Sequence, residues 1–262
     1  MDRIQEDFVL SAKLAREAGF DGVDIKACHG YLVSELLASF TREHSRYGGS
    51  FENRSRFLVE TARKIKDCVP GMIMTSRISA YDAIPYPYGF GVDKKSWEKE
   101  DLTEVKALIK NLLPIGFPLL NVSLGNPHYK PHFGRPYDLP MEGGYIPDEH
   151  PLIGVSRLLR ITAELQHEFP VLPVVGTGYS WLRHFFPNVG AAIIGTKKAK
   201  IIGLGRGALA YPDFAKDLME KGTLNRRKAC TTCSLCSDLL RKGKPAGCVS
   251  RDRKAYGIRK NS

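Results

Sequence analysis

The chain has 262 residues, of which 43% are hydrophobic and 26% charged, and it carries a formal net charge of +11. These values indicate a soluble globular protein of one or two domains, and no run reaches the ~18 apolar residues of a membrane helix. The N-terminal MDRIQEDF lacks the apolar core of a signal peptide, and the basic tail carries no nucleic-acid-binding motif, so we expect a cytoplasmic protein that binds neither membranes nor nucleic acid.

Helical and extended patterns alternate along the chain. Helical segments show apolar residues at a spacing near 3.6, and short β-branched runs mark the strands. The predicted elements, in order, are helix 4–18, strand 21–26, helix 50–66, strand 72–79, helix 101–113, strand 117–125, loop 126–150, helix 151–167, strand 172–178, helix from 181, strand 199–205 and helix 208–220. Ser50 and Asp101 are the expected caps of the helices that follow them. This alternation implies parallel strands with right-handed crossovers.

Polar and glycine residues follow each predicted strand. They are Lys26 to Tyr31, Arg77, Ser123 to Asn126, Gly176 to Gly178, and Gly205 with Arg206. Such clustering is typical of the C-terminal face of a barrel, and an open doubly wound sheet gathers residues in the same way. Only five strand–helix units are present, whereas a closed barrel of this kind has eight.

Several stretches, in order, resemble one family closely. They are GFDGVDIKACHGYLVSELL, REHSRYGGSFENRSRF, SRIS, NVSLGNPHYKPHFGRPYD and IIGLGRGALAYPDF. They are similar to the old yellow enzyme family of FMN-dependent ene-reductases, in the branch of 2,4-dienoyl-CoA reductase and trimethylamine dehydrogenase. The resemblance covers nearly the whole chain, and the five strands resemble strands four to eight of the family's TIM barrel.

The resemblance implies an α/β fold, a partial TIM barrel of strands four to eight at residues 1–222, followed by a cysteine-rich segment at 223–262. Five strands do not close at the usual shear, so two sheet edges should stay unpaired. We therefore expect an open half-barrel, which could pair with a partner chain that supplies the remaining strands or electrons.

The resemblance also implies catalytic roles for three residues after the first strand. Lys26 and His29 match the two donors that bind the substrate carbonyl oxygen and stabilise the developing enolate. The family usually has His at the position of Lys26, but an ammonium is also a strong donor. Tyr31 matches the proton donor and would act as general acid. The alternative is that these side chains only cap the next helix or meet surface carboxylates.

Five residues are expected to bind FMN on the same resemblance. Arg77 matches the arginine at the flavin pyrimidine edge, and Ser123 lies in the loop that also holds Gly125 and Asn126. Gly178, Gly205 and Arg206 are expected at the phosphate. The His128 and His132 pair has the four-residue spacing of a zinc site, but the prolines around it argue against a helix and hence against that site.

Six cysteines are present, and Cys230, Cys233, Cys236 and Cys248 lie within nineteen residues. In a cytosolic chain this crowding favours metal ligation over disulfides. The spacing resembles the [4Fe–4S] motif of the branch named above, and a structural zinc site with four thiolates is the alternative.

The sequence thus predicts an FMN- and iron–sulfur-dependent oxidoreductase that transfers hydride from reduced flavin to an activated alkene of enone, enoate or dienoyl type. The alternative is a non-catalytic subunit or remnant that pairs with a chain carrying the other strands.

Overall fold

Five parallel strands form a single sheet in the order β1-β2-β3-β4-β5. The computed structural model of the chain describes residues 1–257, so residues 258–262 of the predicted cysteine-rich segment lie outside the described part. The strands are β1 (Gly22–Ala27), β2 (Ile73–Tyr81), β3 (Leu120–Leu124), β4 (Val174–Gly176) and β5 (Ile201–Ile202). The predicted α/β fold with five parallel strands is confirmed.

Helices lie before, between and after the strands along the chain. They are α1 (Asp2–Glu17), α2 (Leu32–Leu37), α3 (Phe51–Cys68), α4 (Thr103–Leu112), α5 (Pro131–Gly134), α6 (Pro151–Glu168), α7 (Phe186–Gly195), α8 (Arg206–Ala210), α9 (Phe214–Lys221), α10 (Leu235–Arg241) and α11 (Arg253–Tyr256). The Ser50 side chain accepts a hydrogen bond from the backbone N–H of Asn53 at 3.3 Å, which caps α3 as predicted.

Two predicted helices differ from the observed ones. The expected helix 208–220 is two helices, α8 and α9, because Pro212 has no N–H to donate and keeps Tyr211 out of helical geometry (φ −140°, ψ 73°). The helix expected from 181 begins as a 3₁₀ turn, Tyr179–Phe185, in which Arg183 has non-helical angles, and α7 starts only at Phe186. The short helices α2 and α5 were not predicted.

The two faces of the sheet have opposite character. Alternate residues face the helices and are buried, as Ile25, Ile78 and Val122 show at 0–1% exposure. Against them pack apolar side chains of α3, α4 and α6, namely Phe57, Leu58, Leu108, Ile109, Leu112, Leu158, Ile161 and Leu165. The intervening residues point to the other face, which is polar: Asp24, Lys26, Thr75, Arg77, Asn121 and Ser123. The helices therefore build a core on one face and leave the polar face for other contacts.

The sheet is open within residues 1–257. There β1 pairs only with β2, and β5 pairs only with β4. Among the helices of the described part, none combines the length and the apolar character needed to cross a membrane.

Candidate functional site

Strand register brings the predicted site residues together at the carboxyl ends of β1, β2 and β3. Lys26 lies opposite Arg77, and Arg77 lies opposite Asn121 on the next strand. Two residues further on, Ser79 lies opposite Ser123. Because neighbouring parallel strands in register point equivalent side chains the same way, these residues form one polar surface on the face that the helices leave uncovered.

His29 lies just beyond β1 and faces β3. Its backbone is left-handed, with φ 67°, which a non-glycine residue adopts only when its surroundings hold it there. The His29 Nε2 lies 2.7 Å from the Ser123 hydroxyl, and the Nη2 of Arg77 donates to the same hydroxyl at 3.3 Å. One buried serine thus joins the imidazole to the guanidinium.

The imidazole of His29 is neutral at physiological pH. Its pKa is lowered to about 3, mainly by burial and in addition by the nearby positive charges of Arg77 and Lys26. A neutral imidazole has one N–H donor and one acceptor nitrogen. His29 is therefore suited to donate a hydrogen bond to a substrate oxygen without carrying a charge itself.

Lys26 and Tyr31 are in direct contact. The Lys26 Nζ lies 3.4 Å from the centre of the Tyr31 ring, a cation–π contact that holds the ammonium close to the phenol. Tyr31 is 55% exposed, so its hydroxyl is open to a ligand. The three residues expected to act together after β1 are neighbours in the structure.

The loop after β3 closes over this surface. Gly125 has φ 70°, and a Cβ there would come within 2.7 Å of Phe133 Cβ, so only glycine fits. Asn126 is buried beside Gly30, and its side-chain oxygen accepts the His128 backbone N–H at 2.9 Å. His132 instead bonds Tyr145 through Nδ1 at 2.9 Å.

The loops after β4 and β5 are tied to each other. Gly178 has φ 102°, with Leu158 packed 2.9 Å from where a Cβ would lie. The Ser180 hydroxyl accepts the backbone N–H of Gly207 at 3.1 Å, and nothing lies within 4 Å of a Cβ built on Gly205. The Ser180–Gly207 bond therefore ties the two loops together, and the backbone is open at Gly205 but covered by Leu158 at Gly178.

All four cysteines of the C-terminal segment line a single small cavity, and Arg206 lines it with them. The cavity is small, about 10 Å³. The Cys230 sulfur accepts the Thr232 N–H at 3.4 Å, and Cys233 pairs with the Ser250 hydroxyl at 3.2 Å. Within residues 1–257 no three His, Cys, Asp or Glu side chains are close enough to hold one metal ion.

Two arginines are buried beside these cysteines. Burial lowers the pKa of Arg206 to about 10, and the neighbouring charge of Arg135 lowers it too, while the cysteines oppose the shift. Arg135 Nη1 donates to Ser237, and Arg206 Nη2 donates to the Pro136 carbonyl. Among the described residues, Arg135 Nη2 and Arg206 Nε and Nη1 are buried without a hydrogen-bond partner. Buried guanidinium nitrogens in that state favour an anion between them.

The cysteine loop is held on the segment that follows α5. Thr232 and Ser234 have positive φ angles, 51° and 60°, so the chain turns sharply between the cysteines. The Ser234 hydroxyl donates to the Leu139 carbonyl at 2.7 Å, and the Leu139 N–H donates to the Thr232 carbonyl at 3.4 Å. The long loop after β3 thereby positions the cysteines.

Comparison with known proteins shows which family the N-terminal part of the chain resembles. Residues 1–115 match the model of the NADH:flavin oxidoreductase / NADH oxidase family, and relatives align over most of the remaining chain. The chain is therefore similar to this family, and the family model covers its first 115 residues.

Two relatives are similar to this chain over nearly its full length. The NADH oxidase of Thermoanaerobacter brockii is 28% identical over 90% of the chain and 32% of its own length. The cinnamate reductase of Clostridium sporogenes is 27% identical over 95% of the chain and 36% of its own length. The chain thus spans about a third of the length of these curated relatives.

A solved structure of 2-naphthoyl-CoA reductase shares the fold. It superposes with a TM-score of 0.71 at 19% identity, over 96% of this chain and 34% of the solved one. The expected partial-barrel architecture is thereby confirmed, while the expected resemblance to the family is confirmed by the match of residues 1–115 and by the two relatives.

The structure groups the predicted residues into two places. Lys26, His29, Tyr31, Arg77 and Ser123 lie together at the ends of β1 to β3. The Arg206 guanidinium, in contrast, lies at the cysteine cavity. Arg135 and Ser180 were missed by sequence reasoning. Arg135 stands in the quoted stretch NPHYKPHFGRPYD, but nothing in that pattern says that it reaches residues a hundred positions later.

Proposed function

We propose that this chain is the flavin-binding part of an FMN-dependent oxidoreductase of ene-reductase type, which reduces an activated alkene with electrons from NADH or NADPH. The observation that carries the proposal is the convergence of Lys26, His29, Arg77 and Ser123 on the polar face of the sheet. The family and the name of the cinnamate reductase relative support this reaction class.

The residues of the polar face fit a flavin. The Arg77 Nε is buried without a partner in residues 1–257, so the guanidinium can donate to the carbonyl and nitrogen acceptors of a flavin pyrimidine edge. The open backbone at Gly205 suits a phosphate, whereas the guanidinium of Arg206, which was also expected at the phosphate, lies with the cysteines. When bound and reduced, FMN supplies the hydride.

The chain's own residues would then handle the substrate oxygen and the proton. Lys26 and His29 donate hydrogen bonds to the carbonyl oxygen, where negative charge develops as the alkene is reduced. Tyr31 holds a proton on its exposed hydroxyl and delivers it to the carbon next to the carbonyl. The Lys26–Tyr31 contact keeps the ammonium and the phenol in one place.

Flavin binding tests the proposal directly. The chain is titrated with FMN while flavin fluorescence is followed, and Arg77→Ala is compared with Arg56→Ala, an arginine on α3 away from the polar face. We expect Arg77→Ala alone to weaken binding. Bound flavin should then be reduced by NADH or NADPH and reoxidised anaerobically by cinnamate. An absence of flavin binding, or a reduced flavin that cinnamate leaves unchanged, contradicts the proposal.

We further propose that Cys230, Cys233, Cys236 and Cys248 bind a [4Fe–4S] cluster. Four thiols around one cavity form the donor set of a cubane, whose thiolates attach to four different irons. A zinc ion bound by the same four thiolates, each ~2.3 Å from the metal, is the alternative. The unpartnered nitrogens of Arg135 and Arg206 suit the negative charge of a thiolate-bound cluster.

A second candidate function is favoured by the free edge of β1. Its six residues pair only with β2 in the described part, and an unpaired edge strand is a template for another strand. The chain would then be a subunit whose sheet is extended by a partner chain. The flavin titration above distinguishes the two candidates, because a chain that by itself binds FMN and passes electrons to cinnamate contradicts the second.

A further inference from the structure

Ser123 occupies the one position that touches both His29 and Arg77. It is fully buried, at 0% exposure. Its hydroxyl lies 2.7 Å from His29 Nε2 and accepts a hydrogen bond from Arg77 Nη2 at 3.3 Å. Within residues 1–257 these are its two side-chain hydrogen-bond partners. The side chains of Arg77, Ser123 and His29 therefore form a hydrogen-bonded row, which starts at a guanidinium that can only donate and ends at the imidazole.

The hydrogens of this row can be assigned by elimination. Arginine has only donors, so Ser123 must accept from Arg77, and the hydroxyl has a single hydrogen of its own to donate. If His29 Nε2 also donated to Ser123, the hydrogen of the Ser123 hydroxyl would be buried with no acceptor, which costs about 1–3 kcal/mol. If Ser123 donates to Nε2 instead, every group in the row is satisfied.

The charge around His29 excludes the arrangement in which both ring nitrogens donate. Arg77, Lys26 and His128 lie close enough to oppose a positive imidazole, and burial opposes it most. A neutral imidazole that accepts at Nε2 carries its proton on Nδ1. Nδ1 has no hydrogen-bond partner within residues 1–257 and is not among the fully buried unpartnered atoms, so it is open to a ligand.

We propose that Ser123 is a positioning residue that holds His29 as the Nδ1–H tautomer, so that Nδ1–H is the donor presented to the substrate oxygen. The tautomer follows from the contacts of the chain alone. Its use on a substrate rests on the proposed function. Arg77 then has two hydrogen-bonding roles: its Nη2 donates to Ser123, and its Nε remains available to donate to the cofactor.

The tautomer can be read directly by nuclear magnetic resonance. Protein labelled with ¹⁵N in histidine rings is recorded in a long-range ¹H–¹⁵N correlation at neutral pH, and His29→Gln identifies the His29 signals by their loss. We expect wild-type His29 as Nδ1–H. Ser123→Ala removes the hydroxyl that occupies Nε2, so the ring should shift toward Nε2–H, the form that free imidazole side chains favour in water. Ser123→Thr keeps the hydroxyl and should restore Nδ1–H.

The controls separate a local change from unfolding. The His132 ring, held by Tyr145, should keep its signals in both variants. A wild-type His29 in the Nε2–H or charged form overturns the proposal even if Ser123→Ala does not fold, and so does a folded Ser123→Ala with the wild-type tautomer. Because the spectra need no flavin, a chain that shows Nδ1–H but fails to bind FMN refutes only the proposed function.

Discussion

The strand-end surface and the cysteine cavity are built in different ways. The first stands on regular parallel register, in which Lys26, Arg77 and Asn121 share a row fixed by backbone hydrogen bonds. The second is made of loops, with left-handed residues at Thr232 and Ser234 and with arginines that come from elsewhere in the chain. In a site on strands, the loss of one side chain leaves the positions of the others unchanged. In a site on loops, the positions of the side chains depend on the ligand that they bind.

Removal of a cysteine should therefore have the largest effect. Cys236→Ser is expected to abolish iron binding in protein reconstituted anaerobically with iron and sulfide, because the cubane loses one of its four thiolate ligands. Iron analysis and visible absorbance measure the loss. Cys68→Ser, at an exposed cysteine on α3, is the matched control and should keep its iron. Stoichiometric zinc with no iron in the wild type would contradict the cluster.

Removal of Lys26 should disable chemistry while the strand-end surface keeps its shape. Lys26→Ala is expected to lower turnover ~10²–10³-fold, the usual loss for one donor to a developing oxyanion, in a preparation that reduces an enone. FMN affinity should stay near the wild-type value, since Arg77 is unaltered. Lys13→Ala on α1 provides the control. An unchanged turnover number in Lys26→Ala would remove this residue from the site.

The buried carboxyl group of Asp82 should give the third-largest effect, which is on the pH dependence of stability. Burial raises the pKa of Asp82 to about 6, although Ser79 donates to it at 2.6 Å and the Phe90 N–H at 2.9 Å. The folded state holds the carboxyl proton of Asp82 more tightly than the unfolded state does. Protonated Asp82 therefore stabilises the folded state below pH 4, and that contribution is lost as pH rises to about 6. The shift corresponds to about 3 kcal/mol.

Asp82→Asn should remove that pH dependence, because the amide can accept from Phe90 and donate to Ser79 without a charge. The difference in free energy of unfolding between variant and wild type, from urea titrations at several pH values, should therefore grow between pH 4 and 6. The pKa of His29, lowered to about 3, acts in the opposite sense: its contribution to stability is lost as pH falls from 6.5. The comparison must therefore be made between variants. A difference that is constant with pH would refute the Asp82 assignment.

The contrast between a site built on strands and a site built on loops also explains which features the sequence could predict. The strands, and the gathering of Lys26, His29 and Arg77 at their ends, were accessible from the alternation of strand and helix, and the resemblance implied the order of the strands. The direct Ser123–His29 contact was not, because it depends on the left-handed turn at His29. Arg135 was also inaccessible, since it meets the cysteines only through the fold of the loop after β3. The break at Pro212 was readable from the proline itself and was overlooked because the apolar pattern continues across it.

The link between the β4 and β5 loops should give the smallest effect. Ser180→Ala removes the hydroxyl that accepts the Gly207 N–H at 3.1 Å, at a cost of about 1 kcal/mol in the free energy of unfolding. FMN affinity should fall with it, because the freed Gly207 segment no longer holds the open backbone at Gly205 in place. Ser11→Ala is the matched control, since its exposed hydroxyl bonds only the Asp7 carbonyl within α1. Equal FMN affinity in the two variants would show that the Ser180–Gly207 bond does not position the phosphate.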